Sequence, residues 1–171
     1  MTITKQPLVL APDAGDFVQI GQMGVRFMID GERSGGGFSL VEHPIAPRAL
    51  AAPMHVHEHE DEYSYVLAGE VGVQVGDEVR YAKAGDLVFK PRGVWHAFWN
   101  RADEPARLLE IISPAGFEAF FSELVDLGGV AGARPEQLGA LCERFALEMD
   151  PSSVPDLIRR FGVRFPAEPL A

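Results

Sequence analysis

The segment from His55 to Glu62 concentrates imidazoles and carboxylates, which are common metal ligands in proteins. His55 and His57 are two residues apart, so on a β-strand both side chains would point to one face, with Cα atoms about 6.6 Å apart. After a short bend, Glu62 can return to the same interior. These three residues therefore predict most of a metal site.

A second segment supplies a third imidazole. His96 lies in an alternating, strand-like run, where it shares a face with Val94 and Phe98. Around it the pattern G-x5-P-x-G-x2-H-x3-N extends from Gly85 to Asn100. With ordinary residue usage, chance would give this pattern on the order of 10⁻⁷ times per starting position. Three imidazoles and one carboxylate suit a divalent transition metal.

Together the two segments resemble the motifs of the cupin family. The first family motif is G-x5-H-x-H-x3,4-E-x6-G, and it is matched by His55, His57, Glu62 and Gly69. The second motif is matched at all five positions of the pattern around His96. One departure is Ala49, where the family has a glycine that shapes a turn. The resemblance covers roughly residues 46–112 and implies a jelly-roll β-barrel.

The resemblance also implies how the site is built. The family's metal ligands fall on His55, His57, Glu62 and His96. The ion would be divalent Fe, Mn, Ni, Cu, Co or Zn, because this ligand set does not select among them. Glu62 is also the candidate catalytic residue, since in flavonol-cleaving cupins with the same ligand set the glutamate is thought to act as a general base.

The other polar residues of the first segment are weaker candidates for metal ligands. His59 could be a ligand if the strand register shifted, but Glu62 would then follow it too closely for the motif. We expect the acidic residues Glu58, Glu60 and Asp61 to form a solvated rim at the mouth of the site.

Residues that alternate in step with the ligands are candidates for the walls of a substrate pocket. These are Ser64, Val66, Val94 and Phe98, together with Met54, whose facing depends on whether a β-bulge intervenes. Their apolar character favours a phenol or an enolisable diketone over a free sugar.

The middle of the chain predicts short strands separated by glycine and proline turns. The candidate strands are 63–67, 71–75, 79–81, 87–89, 94–99 and 108–112, preceded by strand patterns at 25–29 and from 38 onward. Six short strands at this spacing predict an antiparallel sandwich or barrel.

The last third changes to helical periodicity. One apolar stripe runs from Phe117 to Leu124, a second from Leu138 through Phe145 to Met149, and a third helix is expected at 155–161. We therefore predict a single domain over 1–171, an all-β jelly-roll barrel with a C-terminal helical extension. Its parts are N-terminal strands at 1–45, a cupin-type barrel core at 46–113 and C-terminal helices at 114–171.

Composition restricts the partners. The formal charge of −10 argues against binding nucleic acid or an anionic membrane surface, because both require a basic face. The N-terminal apolar run from Leu8 to Ala11 is too short for a signal-peptide core, so we expect a cytoplasmic protein. The extended N-terminal segment could pair with an open barrel edge of a second copy, which predicts a homodimer.

These observations favour a metal-dependent enzyme with a small-molecule substrate. The stretch from Ser113 to Phe117 also resembles single-domain bacterial cupins that are compared with quercetin 2,3-dioxygenase. That likeness favours a dioxygenase-type oxidoreductase that uses dioxygen. Two alternatives stay open: a redox-neutral isomerase or lyase that uses the metal to polarise a carbonyl, and a non-catalytic protein that binds a small ligand.

Overall fold

The computed structural model describes residues 6–165, so the outermost ends of the predicted domain, 1–5 and 166–171, lie outside the described residues. The strands are β1 Phe17–Ile20, β2 Met23–Ile29, β3 Ser39–Ile45, β4 Ala49–Leu50, β5 Met54–His57, β6 Asp61–Ala68, β7 Glu70–Val75, β8 Glu78–Lys83, β9 Leu87–Lys90, β10 His96–Asn100, β11 Ala106–Ser113 and β12 Leu147–Asp150. The helices are α1 Gly31–Ser34, α2 Glu118–Asp126, α3 Gly129–Gly132, α4 Pro135–Arg144 and α5 Val154–Phe161.

The strands form two sheets that face each other. The first has the order β1-β2-β3-β11-β6-β9, and the second has the order β12-β5-β10-β7-β8, with β4 also paired to β10. Every pairing between these strands is antiparallel. This is a β-sandwich of the jelly-roll type followed by helices, so the predicted fold class is confirmed.

Alternation along β6 and β11 explains how polar groups enter the interior. In β11 every second residue is buried, and Glu110 lies on that inner face with Leu108. The register pairs Glu110 with Ser64 of β6, and the next strand pairs Lys90 with Glu62. Four polar side chains therefore meet across three adjacent strands, inside the sandwich.

Strand β10 is buried on both of its faces. Trp99 is fully buried on the outer face, where its ring stacks on Phe161 of α5 at a centroid distance of 3.8 Å. Gly72 of β7 makes room for this indole, because a Cβ there would lie 2.2 Å from its Nε1 atom. Helix α5 thus covers the second sheet and holds the strand that carries His96.

The predicted second C-terminal helix is too long, and this part of the expectation is wrong. Helix α4 ends at Arg144, and Ala146 then adopts a left-handed backbone with φ of 47°. The chain continues as β12, in which Met149 pairs with His55 and Leu147 pairs with His57 of β5. Backbone pairing with an otherwise open edge of β5 therefore overrides the helical periodicity of the sequence. Within residues 6–165, every helix is too short or too polar to cross a bilayer.

Candidate metal centre

The structure brings the four predicted ligands together. His55 and His57 come from β5 and His96 from β10, where it lies directly opposite His55 in the antiparallel register. Glu62 comes from the start of β6 in the facing sheet. Their possible ligand atoms all lie within 4.8 Å of one another, and all four side chains are buried.

Backbone carbonyls orient two of the imidazoles. Nδ1 of His55 lies 2.9 Å from the carbonyl of Pro53, and Nδ1 of His96 lies 3.0 Å from that of Val94. Because a carbonyl oxygen can only accept, each Nδ1 carries the proton, and each Nε2 offers its lone pair to the cluster. Burial lowers the pKa of His55 and the pKa of His96, which keeps both rings neutral at pH 7 and available as ligands.

The surroundings of the His57 ring indicate whether the cluster suits a cation. Among residues 6–165, neither of its buried ring nitrogens has a hydrogen-bond partner. Nε2 is 3.5 Å from Oε1 of Glu62, and Nδ1 is 3.5 Å from Oε2 of Glu60. Orphaned nitrogens in a dry interior are costly, and a cation shared by the four side chains would satisfy Nε2. The donor set of three nitrogens and one carboxylate therefore fits a divalent transition metal.

A buried lysine lies beside the cluster. Nζ of Lys90 is 2.8 Å from Oε2 of Glu62 and 2.9 Å from Oε2 of Glu110, and Oγ of Ser64 donates to Glu110 as well. Burial disfavours the carboxylate of Glu62, but the ammonium group of Lys90 outweighs this effect and holds the pKa of Glu62 well below its usual range. Burial raises the pKa of Glu110 to about 7. Glu62 is thus held ionised, as a metal ligand must be.

The cluster opens onto an apolar cavity of about 200 Å³. Phe117 packs edge-on against His57 at a ring-centroid distance of 4.3 Å. Further walls come from helix α2 and strand β12, namely Phe120, Phe121, Leu124, Leu147 and Met149. The phenylalanine periodicity predicted this helix, and the structure shows that its apolar face lines the cavity. Because β12 was not predicted, its contribution could not be foreseen.

Of the five predicted pocket residues, only one is found in the cavity lining within residues 6–165. Phe98 lines the cavity. The other four are absent from its walls within residues 6–165. Ser64 is turned to Glu110, Val66 is buried in the main core, and Val94 lies in the turn before β10. Met54 has the opposite facing to His55 and packs against the second core, which contains Trp99. Alternation gives the face of a strand but not the depth at which a cavity lies.

Only some of the residues predicted to form a solvated rim are exposed to solvent. Glu58 and His59 are exposed, and His59 lies outside the cluster. Glu60, expected to be solvated, is only 9% exposed because it turns towards His57. Asp61 pairs with Arg92, whose backbone and side chain both donate to it, and these hydrogen bonds lower the pKa of Asp61 to about 2.

The second motif holds the cluster through its turns. Gly93, with φ of 72°, donates its N–H to the carbonyl of His57 at 2.8 Å, which ties the two motifs together. Asn100 is fully buried and donates to the carbonyls of Ala46 and Glu104 at 3.1 and 2.8 Å. These two residues of the motif therefore hold the backbone around the cluster.

With this geometry established, comparison with known proteins identifies the domain. The family profile described as "Cupin domain" matches residues 42–112. The chain contains a cupin domain. Among solved structures, KdgF from Halomonas sp. superposes with a TM-score of 0.59 at 16% identity, over 67% of this chain and 99% of that one. This likeness shows the cupin fold.

Two further relatives of the cupin domain come from Streptomyces. The tetracenomycin polyketide synthase protein TcmJ of Streptomyces glaucescens is 39% identical over 61 residues, which are 35% of this chain. That match spans 40% of the length of TcmJ. The polyketide cyclase RemF from Streptomyces resistomycificus is 25% identical, with a TM-score of 0.55 over 63% of this chain and 80% of that one.

Proposed function

We propose that this cupin is a metal-dependent enzyme that closes a ring in a polyketide-type substrate carrying 1,3-related carbonyl or phenol oxygens. The observation that carries the proposal is the convergence of His55, His57, Glu62 and His96, the first three of which line a small apolar cavity. The names of TcmJ and RemF support the substrate class. A divalent metal held by these side chains would supply Lewis acidity that polarises carbonyl oxygens.

The proposed reaction is an intramolecular aldol condensation. A carbon–carbon bond forms between an enol carbon and a carbonyl carbon of the same molecule, and the carbonyl oxygen leaves as water, so no oxidant is needed. The rings of Phe117, Phe120 and Phe121 would pack against the folded substrate and exclude bulk water. We propose Glu62 primarily as a ligand, because Lys90 stabilises its anion. Its earlier assignment as a general base stays a prediction.

A dioxygenase on a phenol or diketone is the second candidate. The observation that favours it is the donor set of three imidazoles and one carboxylate beside an apolar cavity, because these side chains would hold a redox-active metal that could supply dioxygen chemistry. Both candidates use the same class of enolisable substrate. They differ in whether oxygen is consumed. The homodimer and the cytoplasmic location also stay predictions.

An oxygen-controlled assay separates the two reactions. Protein loaded with Zn²⁺, Mn²⁺ or Fe²⁺ is incubated with an aryl 1,3,5-triketone under nitrogen and under air, with mass spectrometry of the products and an oxygen electrode. We expect a product lighter by one water, at equal rates in both atmospheres, and no turnover by chelator-treated protein. Oxygen uptake matched to product would instead favour the dioxygenase. Equal rates with and without metal would overturn both.

A further inference from the structure

One histidine that lines the cavity has no part in the metal cluster. His43 lies on β3 of the first sheet and is 2% exposed. Its ring packs edge-on against Phe121 at 5.3 Å and near Phe98 at 6.2 Å, measured between centroids. Its Nδ1 lies 3.0 Å from the carbonyl of Gly24 on β2. These contacts fix the position of the ring.

The contact with Gly24 also fixes the tautomer of His43. A carbonyl oxygen only accepts, so Nδ1 carries the proton and Nε2 is left with a lone pair. In the described part of the chain no group hydrogen-bonds to Nε2. Burial lowers the pKa of this imidazole to about 4, so the ring is neutral at pH 7. His43 therefore presents a fixed, unused acceptor at the wall of a buried cavity.

The acceptor Nε2 of His43 and the imidazoles of the cluster belong to opposite sheets of the sandwich. The imidazoles of the cluster come from the second sheet, whereas His43 comes from the first. Phe98, two residues beyond His96 on β10, brings its ring to within 6.2 Å of the ring of His43, measured between centroids. The neighbouring acid, Glu110, is already engaged by Ser64 and Lys90. A molecule that fills the cavity would thus meet the cluster on one side and Nε2 of His43 on another.

We propose that His43 is a substrate-binding residue whose Nε2 accepts a hydrogen bond from a hydroxyl group of the substrate. The inference rests on the proposed function and narrows its substrate class. The substrate carries a phenolic or enolic hydroxyl in addition to the oxygens that face the cluster. An acceptor left unpaired in a dry site also disfavours a ligand that has a methyl group in place of the hydroxyl.

A matched pair of ligands isolates this hydroxyl. 2,4-Dihydroxyacetophenone and 2-hydroxy-4-methylacetophenone share the same ortho-hydroxy ketone and differ only in the distal substituent. Calorimetric titration of Zn²⁺-loaded protein should show the dihydroxy ligand binding about 10-fold more tightly. In His43→Leu this preference should vanish while the methyl ligand keeps its affinity. His43→Gln, whose amide can donate to Gly24 and accept from the ligand, should keep part of the preference.

The controls separate a binding role from a structural one. His59→Leu makes the same change at an exposed position and should leave the preference intact. A merely structural His43 would lower the affinity for both ligands equally. A wild-type protein that binds both ligands without preference, or a His43→Leu variant that keeps the preference, would overturn this inference alone. Failure of wild-type protein to bind either ligand would overturn the proposed function as well, whereas a hydroxyl preference without ring closure would leave His43 as assigned.

Discussion

Replacing His96 with alanine is expected to weaken the binding of Zn²⁺ on the order of 100-fold. Four-ligand zinc sites bind with apparent free energies of about 10–16 kcal/mol, so each ligand contributes roughly 3 kcal/mol. His96 is 1% exposed, and its Nε2 lies 3.1 Å from Oε2 of Glu62. An exposed side chain therefore cannot replace its imidazole as a ligand. Competition titration with a chromogenic chelator measures the change directly.

The same variant should lose the stabilisation that metal gives to the fold. Metal at 100 times its dissociation constant stabilises the native state by about 2.7 kcal/mol, and His96→Ala should show little of this at the same concentration. The metal-free variant should still unfold cooperatively. His59→Ala removes an imidazole outside the cluster and should behave as wild type. If His96→Ala bound metal as tightly as His59→Ala, the proposed ligand set would be wrong.

Replacing Lys90 with methionine is expected to destabilise the protein by about 3–5 kcal/mol. The ammonium group is 1% exposed and lies within 2.9 Å of carboxylate oxygens from both Glu62 and Glu110. Methionine preserves much of the side-chain volume but leaves the carboxylate of Glu62 without its cation, and Glu110, whose pKa is about 7 even beside Lys90, must then take up a proton. Urea denaturation at pH 7 measures the loss. The penalty should be smaller in metal-loaded protein, where Glu62 has a second cationic partner.

Two further variants show whether this loss comes from charge. Lys83→Met makes the same change at an exposed position of β8 and should alter stability by less than about 0.5 kcal/mol. Adding Glu110→Gln to Lys90→Met removes the buried acid that must take up this proton while leaving a partner for Ser64, so stability should partly return. A Lys90→Met variant as stable as Lys83→Met would show that the buried ion pairs contribute nothing net.

The metal ligands could be predicted from sequence because local spacing encodes them. His55 and His57 share a face through the two-residue period of a strand, and His96 alternates in the same way. The turn residues Gly93 and Asn100 are recognisable because each has a backbone role that few other residues can fill. Fold class followed from the same short-range periodicity.

The rest of the site depends on pairings between distant strands. Lys90 and Glu110 are indistinguishable from surface residues until the β6–β9 and β6–β11 registers place them inside. His43 stands in a strand that the sequence suggested only at its beginning, and its role depends on Gly24 in a neighbouring strand. Strand β12 could not be recognised in the sequence, because its apolar residues continue the helical periodicity of α4. In each case the pairing of strands that are distant in sequence, and not the local sequence, determines where the residue lies.

X-ray absorption and anomalous diffraction on wild-type protein loaded with Zn²⁺ or Mn²⁺ would locate the ion and its ligands. We expect one ion per chain, bonded at about 2.0–2.2 Å to three imidazole nitrogens and one carboxylate oxygen. Those atoms belong to His55, His57, His96 and Glu62. An ion bound instead by the exposed residues Glu58 and His59, or no ordered ion in protein given excess metal, would rule out this metal site.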